Sequence, residues 1–182
     1  AWLQACATEA DIKRALLEKG EAASPREAGD RCARILAQRE LRTNLGVMRD
    51  AGATVEYHAI DARDGAAVQA LCNDVRERYG AIRGFIHGAG VLADRHIADQ
   101  TAEQFAWVYE TKVRSAQAFL KALHEDDLKV LAFFGSSTGR FGRTGQVAYA
   151  AANEALNKLA QAERARRTGC RVASINWGPW AG

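Results

Sequence analysis

The sequence has little proline, two residues in 182, and a single methionine. So few prolines exclude a proline-rich linker or a polyproline rod. Cysteine is also scarce. Cys6, Cys32, Cys72 and Cys170 stand far apart, and no CxxC pair occurs. The four histidines, His58, His87, His96 and His124, do not complete a metal-ligand spacing with them, so no metal site is expected. Reduced thiols and a cytoplasmic location are expected instead. Neither sign of charge dominates: the formal net charge is +3. No basic block interleaved with aromatics appears, which argues against nucleic-acid binding. No apolar run approaches the roughly 20 residues of a membrane span, and no signal peptide is visible. The chain starts at Ala1 rather than Met and stops at Gly182 just beyond a strand-like run, so a piece of a longer polypeptide is expected.

The composition, 48% apolar and 26% charged, is that of a globular domain with a real core. Residues 8–19 and about 26–51 read as helices with highly charged surfaces, the second opened by Ser24-Pro25 and closed by Gly52. "TVEYHAID" (54–61) reads as a strand, 64–79 as a helix ending at Gly80, and "IRGFIHGAG" (82–90) as a strand running into glycines. A helix follows over 101–123, then the apolar strand "LKVLAFFGSS" (128–137), a helix from Gly145 to about Arg167, and the strand "RVASINW" (171–177). This β-α-β-α-β-α-β order after a helical start predicts an α/β fold, a parallel sheet covered by helices. Ligands of such sheets bind beyond the carboxyl ends of the strands. Those ends carry Asp61, then Gly88-Ala89-Gly90, then Ser136-Ser137, then Gly178-Pro179.

The apolar stripe of helix 101–123 reads Phe105, Val108, Ala116, Phe119, Leu123, and it closes only if Lys112 joins it. A lysine there either snorkels, stem flat and ammonium in solvent, or fixes a cation near the strand ends. Ser136 alone could be turn chemistry, and Tyr149 alone could be core. Tyr149 follows Ser136 by thirteen positions across a loop with three glycines, and Asn153 stands one helical turn beyond Tyr149. A reaction that suits this set is hydride transfer to a carbonyl, whose oxygen gains negative charge. Ser136 would donate a hydrogen bond to that oxygen and Tyr149 a proton. A free phenol titrates near pH 10, and a nearby ammonium favours its phenolate; lowering the pKa by about two takes about 2.7 kcal/mol, within reach of one partly desolvated charge. Lys112 is the candidate, with Asn153 holding the lysine or an ordered water.

"FFGSSTGRFGRTGQVAYAAAN" followed by "INWGPW" resembles the ketoreductase domains of multidomain polyketide and polyunsaturated-fatty-acid synthases, within the short-chain dehydrogenase/reductases. In the wider family lysine follows the catalytic tyrosine by four residues. In synthase ketoreductases asparagine stands there, and the lysine comes from the preceding helix within a "KV" dipeptide. Asn153 and "TKV" (111–113) fit the synthase variant. The resemblance implies a Rossmann-like doubly wound sheet with NADPH as cofactor. It implies Ser136, Tyr149, Lys112 and Asn153 as catalytic residues. The stretch "FIHGAGVLAD" (85–94), with His87, Gly88, Ala89 and Gly90, resembles the part beside the nicotinamide ribose. Asp61 resembles the adenine-side aspartate, with Ala62 next to it; Gly178 and Pro179 complete the implied cofactor contacts. Asp94, Ser137 and Phe141 fall on the substrate side. Leu92-Ala93-Asp94 keeps the last aspartate of the Leu-Asp-Asp found in the D-forming group, and Phe141 replaces the tryptophan of the opposite group, so a D-configured hydroxyl is implied.

The similarity runs over 54–182, the C-terminal part of such a domain, while 1–53 reads as a charged helical insertion. The family's first strand, its glycine-rich turn and the arginine for the 2′-phosphate of NADP have no counterpart here, so the first β-α-β is expected to be missing. The resemblance implies reduction of a 3-oxoacyl thioester carried by an acyl carrier protein, beside other synthase domains. The isolated chain is expected to be largely inactive. The alternative is a non-catalytic scaffold part that binds no cofactor, although a scaffold has no need of Ser136, Lys112, Tyr149 and Asn153 together. A free-standing dehydrogenase of small alcohols is disfavoured by Asn153, where that group has lysine.

Overall fold

A computed structural model describes residues 2–179, except the side chain of Gln4. Trp180 of the "INWGPW" stretch therefore lies outside the described residues. The chain divides into two compact units, residues 1–58 and 59–182.

The first unit is helical: α1 (Trp2–Ala5), α2 (Glu9–Glu18) and α3 (Pro25–Asp50). Thr8 caps α2 through a capping box with Asp11, which satisfies two backbone donors that the helix itself leaves free. Ser24 caps α3, and Pro25 stands in its first turn, where no N–H is needed. Ile12 and Leu16 of α2 pack on Ala28 and Cys32 of α3 in a small core.

In the second unit, α4 (Gly65–Tyr79), β1 (Gly84–His87), α5 (Ala102–Ala122), β2 (Val130–Ser136), α6 (Thr138–Phe141), α7 (Val147–Arg166) and β3 (Arg171–Trp177) follow one another. The three strands form an open parallel sheet in the order β1-β2-β3, with His87 beside Phe133 and Phe133 beside Ser174. The Rossmann-like α/β class is thus present. Strand alternation turns Phe85, His87, Leu131, Phe133 and Val172 to one face. There α5 and α7 cover Leu131, Phe133 and Val172 with Ala116, Leu120, Leu156 and Ala160. The opposite face leaves Ile86 at 64% and Trp177 at 41% exposure. Among the described residues of this unit, the sheet carries one helical layer.

One expected strand is not formed. Residues 54–61 run without ladder partners among the described residues. A β-strand is held by its neighbour's hydrogen bonds, so its sequence preference alone does not make one. Conversely, the short helix α6 occupies part of the expected glycine loop.

A half-buried ion pair fastens the far end of the sheet from the site. Arg76 of α4 holds both carboxylate oxygens of Asp126 at 2.5–3.2 Å, and the same carboxylate accepts the N–H of Ile82. Arg167 donates to the carbonyls of Leu123 and Asp126 at 2.7 and 2.8 Å. These bonds tie α4, the end of α5 and the end of α7 around the turn that enters β2.

Candidate active site

A cavity of about 620 Å³ opens at the carboxyl ends of β1, β2 and β3. Lys112, Ser136, Ser137, Phe141 and Tyr149 line it, together with Gly88, Gly90, Gly178 and Pro179. Ser136 is the last residue of β2, and Tyr149 stands in the first turn of α7. The loop and α6 between them fold back, so both side chains reach the same space.

Lys112 points inward, as the apolar stripe requires, and is 4% exposed. Its ammonium Nζ donates to the Phe134 carbonyl at 2.9 Å and to the Ala89 carbonyl at 3.4 Å. It also sits 5.6 Å from the centre of the Tyr149 ring. Burial pushes its pKa down to about 8, which leaves it mainly charged at neutral pH. Close approach to the glycine loop is built in: a Cβ on Gly90 would lie 3.2 Å from Nζ. The snorkelling alternative is thereby excluded.

Ser136 Oγ accepts the N–H of Thr138 at 3.2 Å, which leaves its proton for an acceptor in the cavity. The Tyr149 hydroxyl has no hydrogen-bond partner among the described residues, and Tyr149 lines the same cavity. Ser137 lines the cavity, and its N–H donates to the Trp177 carbonyl at 2.9 Å, tying the end of β2 to β3. Phe141 is 88% exposed at the rim.

Six expected residues do not line the cavity. Asn153 is fully buried but makes no hydrogen bond to Lys112; its amide donates to the Tyr149 carbonyl at 2.7 Å. The i, i+4 spacing that puts it beside Tyr149 also lets it reach back to its own helix. Its Oδ1 is buried without a partner among the described residues, an acceptor suited to a water. His87 faces the helical layer rather than the cavity, because alternation places it with Phe85. Asp61 is exposed, outside the cavity, and its carboxylate grips the Arg63 guanidinium at 2.8–3.2 Å. Ala62 beside it does not line the cavity either. The unpaired segment 54–61 provides no ladder to aim these two at the strand ends. Ala89 contributes its carbonyl alone, and Asp94 is exposed just outside the lining.

Asp94 reveals a residue that sequence reasoning passes over. Gln146, buried and on the cavity wall, donates to the Asp94 carboxylate at 2.8 Å, and its amide oxygen lies 3.4 Å from the Thr138 hydroxyl. Arg95 N–H also donates to the Gly145 carbonyl at 2.9 Å. The loop after β1 and the loop before α7 are thus joined side by side across a long sequence gap. No local pattern signals such a pair.

The pattern of the KR domain matches residues 25–182. The chain is 32% identical to a polyunsaturated fatty acid synthase polypeptide of Thraustochytrium, over 99% of its own length and 6% of that protein's. It is 36% identical over 79% of its length to a phenolphthiocerol/phthiocerol polyketide synthase polypeptide of Mycobacterium tuberculosis, spanning 8% of that relative. A ketoreductase domain from the bacillaene assembly line superposes with a TM-score of 0.73 at 34% identity, covering 76% of this chain and 34% of that one. A ketoreductase from the first module of phoslactomycin biosynthesis in Streptomyces gives 0.68 at 39% identity, covering 76% and 31%. With Ser136, Tyr149 and Lys112 drawn together at the strand ends and the whole sheet within the matched region, the chain belongs to the KR domain family, the ketoreductases of polyketide and polyunsaturated-fatty-acid synthases.

Proposed function

We propose that this chain forms the substrate-side part of a ketoreductase domain that reduces a 3-oxoacyl thioester, presented by an acyl carrier protein, to the 3-hydroxyacyl thioester. The observation that carries the reading is the buried ammonium of Lys112 beside the Tyr149 ring, in a cavity that also holds Ser136. We read residues 54–182 as this part and 1–53 as an insertion region, within a larger synthase whose other domains are its neighbours.

The cavity residues suit the nicotinamide-ribose half of NADPH. Glycines at 88, 90 and 178 leave room against the strand ends, Lys112 offers a cation, and the Tyr149 hydroxyl offers an unpartnered donor. Asp61 and Ala62 are assigned to the adenine side by resemblance alone. The chemistry that the dinucleotide supplies when bound is a hydride for the carbonyl carbon. As charge gathers on the substrate oxygen, Ser136 donates a hydrogen bond to it and Tyr149 passes it a proton. Lys112 holds positive charge beside the phenol and offers its ammonium to the ribose. Asn153 fixes the first turn of α7 through the Tyr149 carbonyl and keeps Oδ1 for a water that returns the proton to Tyr149. Asp94, Ser137 and Phe141 border the acyl chain, and Asp94 reaches the wall through Gln146. The expected product has the D-configured hydroxyl.

The test is titration of NADPH into this chain by fluorescence, together with turnover of a 3-oxoacyl thioester by the intact synthase. NADPH consumption matched by 3-hydroxyacyl product is expected from the synthase. No turnover there, with its carrier protein loaded, would replace this reading by the scaffold alternative.

A further inference from the structure

His87 is the last residue of β1, 3% exposed, with its ring between Phe85 and Phe133 at centroid distances of 6.0 and 6.1 Å. Its Nε2 lies 2.8 Å from Ser115 Oγ. Ser115 is fully buried on α5, one turn after Thr111 and three residues after Lys112. The serine has one proton, and its Oγ lies 2.5 Å from the Thr111 carbonyl and 3.2 Å from that of Lys112. With that proton committed to the helix carbonyls, Oγ can only accept from His87. The imidazole is therefore the Nε2–H tautomer. Its other nitrogen, Nδ1, is bare and buried without a partner among the described residues. Burial, aided by the Lys112 charge, drives the pKa of His87 down to about 4, so the ring is neutral in the physiological range.

This single contact touches both ends of the reach of Lys112. The His87 side chain binds the turn of α5 on which Lys112 sits. The His87 backbone leads directly into Gly88-Ala89-Gly90, whose Ala89 carbonyl receives Nζ. We infer that His87 is a positioning residue: through Ser115 it sets the height of the 111–115 turn against the end of β1, and so places the Lys112 ammonium beside Tyr149. The inference rests on the reductase reading for its kinetic consequence only; the placement of Lys112 can be measured without it.

The test uses His87→Leu, His87→Gln and Ser115→Ala. Glutamine can put an N–H where Nε2 stands, and leucine cannot. Ser115→Ala removes the acceptor without touching the strand. Each is examined in the intact synthase by pH-dependent competitive acetylation of Lys112, read by mass spectrometry, and by steady-state reduction of a 3-oxoacyl thioester. Expected for His87→Gln is a Lys112 profile like that of the parent, with its midpoint near pH 8. Expected for His87→Leu and Ser115→Ala is a midpoint moved up toward that of an ordinary lysine. Their kcat should fall about 10- to 100-fold with the KM for the thioester little changed, as for a displaced catalytic group. An unmoved Lys112 midpoint in Ser115→Ala, or the same shift in His87→Gln and His87→Leu, would overturn the inference. Absence of turnover in the parent would sink the reductase reading instead, while the acetylation profiles would still decide the role of His87.

Discussion

The ammonium of Lys112 lies 5.6 Å from the centre of the Tyr149 ring and is compensated by two strand-end carbonyls rather than by a carboxylate. Carbonyl dipoles hold the ammonium in place without cancelling its charge, so the positive charge remains available to the phenol and to a bound anion.

That arrangement costs stability. The folded pKa of Lys112 is near 8 against an ordinary 10.5. Between these values the unfolded chain binds more protons than the folded one, so stability should rise with pH across that window. Lys112→Met should raise stability at pH 7 by about 1–3 kcal/mol and remove the rise above pH 8. The same variant should lose most reductase activity. Urea unfolding at pH 7 and 10, beside turnover, checks both halves.

Tyr149→Phe keeps the ring against Lys112 and removes only the hydroxyl. Reduction should fall by about 10²- to 10⁴-fold in the intact synthase, the usual loss when a proton donor is deleted. NADPH affinity there should stay near normal. Undiminished turnover would remove Tyr149 from the mechanism.

His87 supplies a second pH window. Its folded pKa of about 4 lies below the ordinary 6.5, so the neutral ring must be charged to match the unfolded chain in acid. Its contribution is complete above pH 6.5 and is lost as pH falls toward 4. His87→Gln should flatten that part of the stability curve relative to the parent. Thermal melts at half-unit pH steps from 4 to 7 would reveal the difference.

Gly139 brings α6 against α7 so closely that an added Cβ would stand 2.9 Å from Asn153 Cβ and 3.0 Å from the Glu154 nitrogen. Gly139→Ala must push the two apart. A loss of about 1–3 kcal/mol is expected, together with reduced activity, since Ser136 and Tyr149 flank this contact. Denaturant midpoints and turnover would measure it.

Asp126→Asn should be costly although it lies outside the site. It leaves the Arg76 guanidinium without its anion in a place where the Asp126 side chain is 4% exposed. About 2–4 kcal/mol of stability should disappear with KM unaffected. The carboxyl is held below the usual range, chiefly by its bond to Arg76, so the same loss should appear in the parent protein on strong acidification. Urea titrations at pH 7 and 3 test the correspondence.

Much of this is legible in the chain. Ser24-Pro25 marks the start of α3, and Gly80 the end of α4, because capping and positive φ are local demands. Lys112 betrays its inward direction by completing an apolar stripe. What stays hidden depends on partners distant in sequence. Residues 54–61 have strand composition but no ladder. The orientation of His87 needs the identity of the covered face, and the Asp94–Gln146 bond spans 52 positions. Asn153 stands at the expected place with a different partner, since spacing fixes a face of a helix and not the direction of an amide.

The sheet order β1-β2-β3 repeats the order of the chain. Each new strand pairs with the one made just before it, but across an intervening helix, Gly84 with Val130 and Val130 with Arg171, and parallel pairing over such separations slows folding. During synthesis the lysine-bearing helix can dock on β1 and β2 while Tyr149 is still being added. The phenol then arrives last, against a cation already in place.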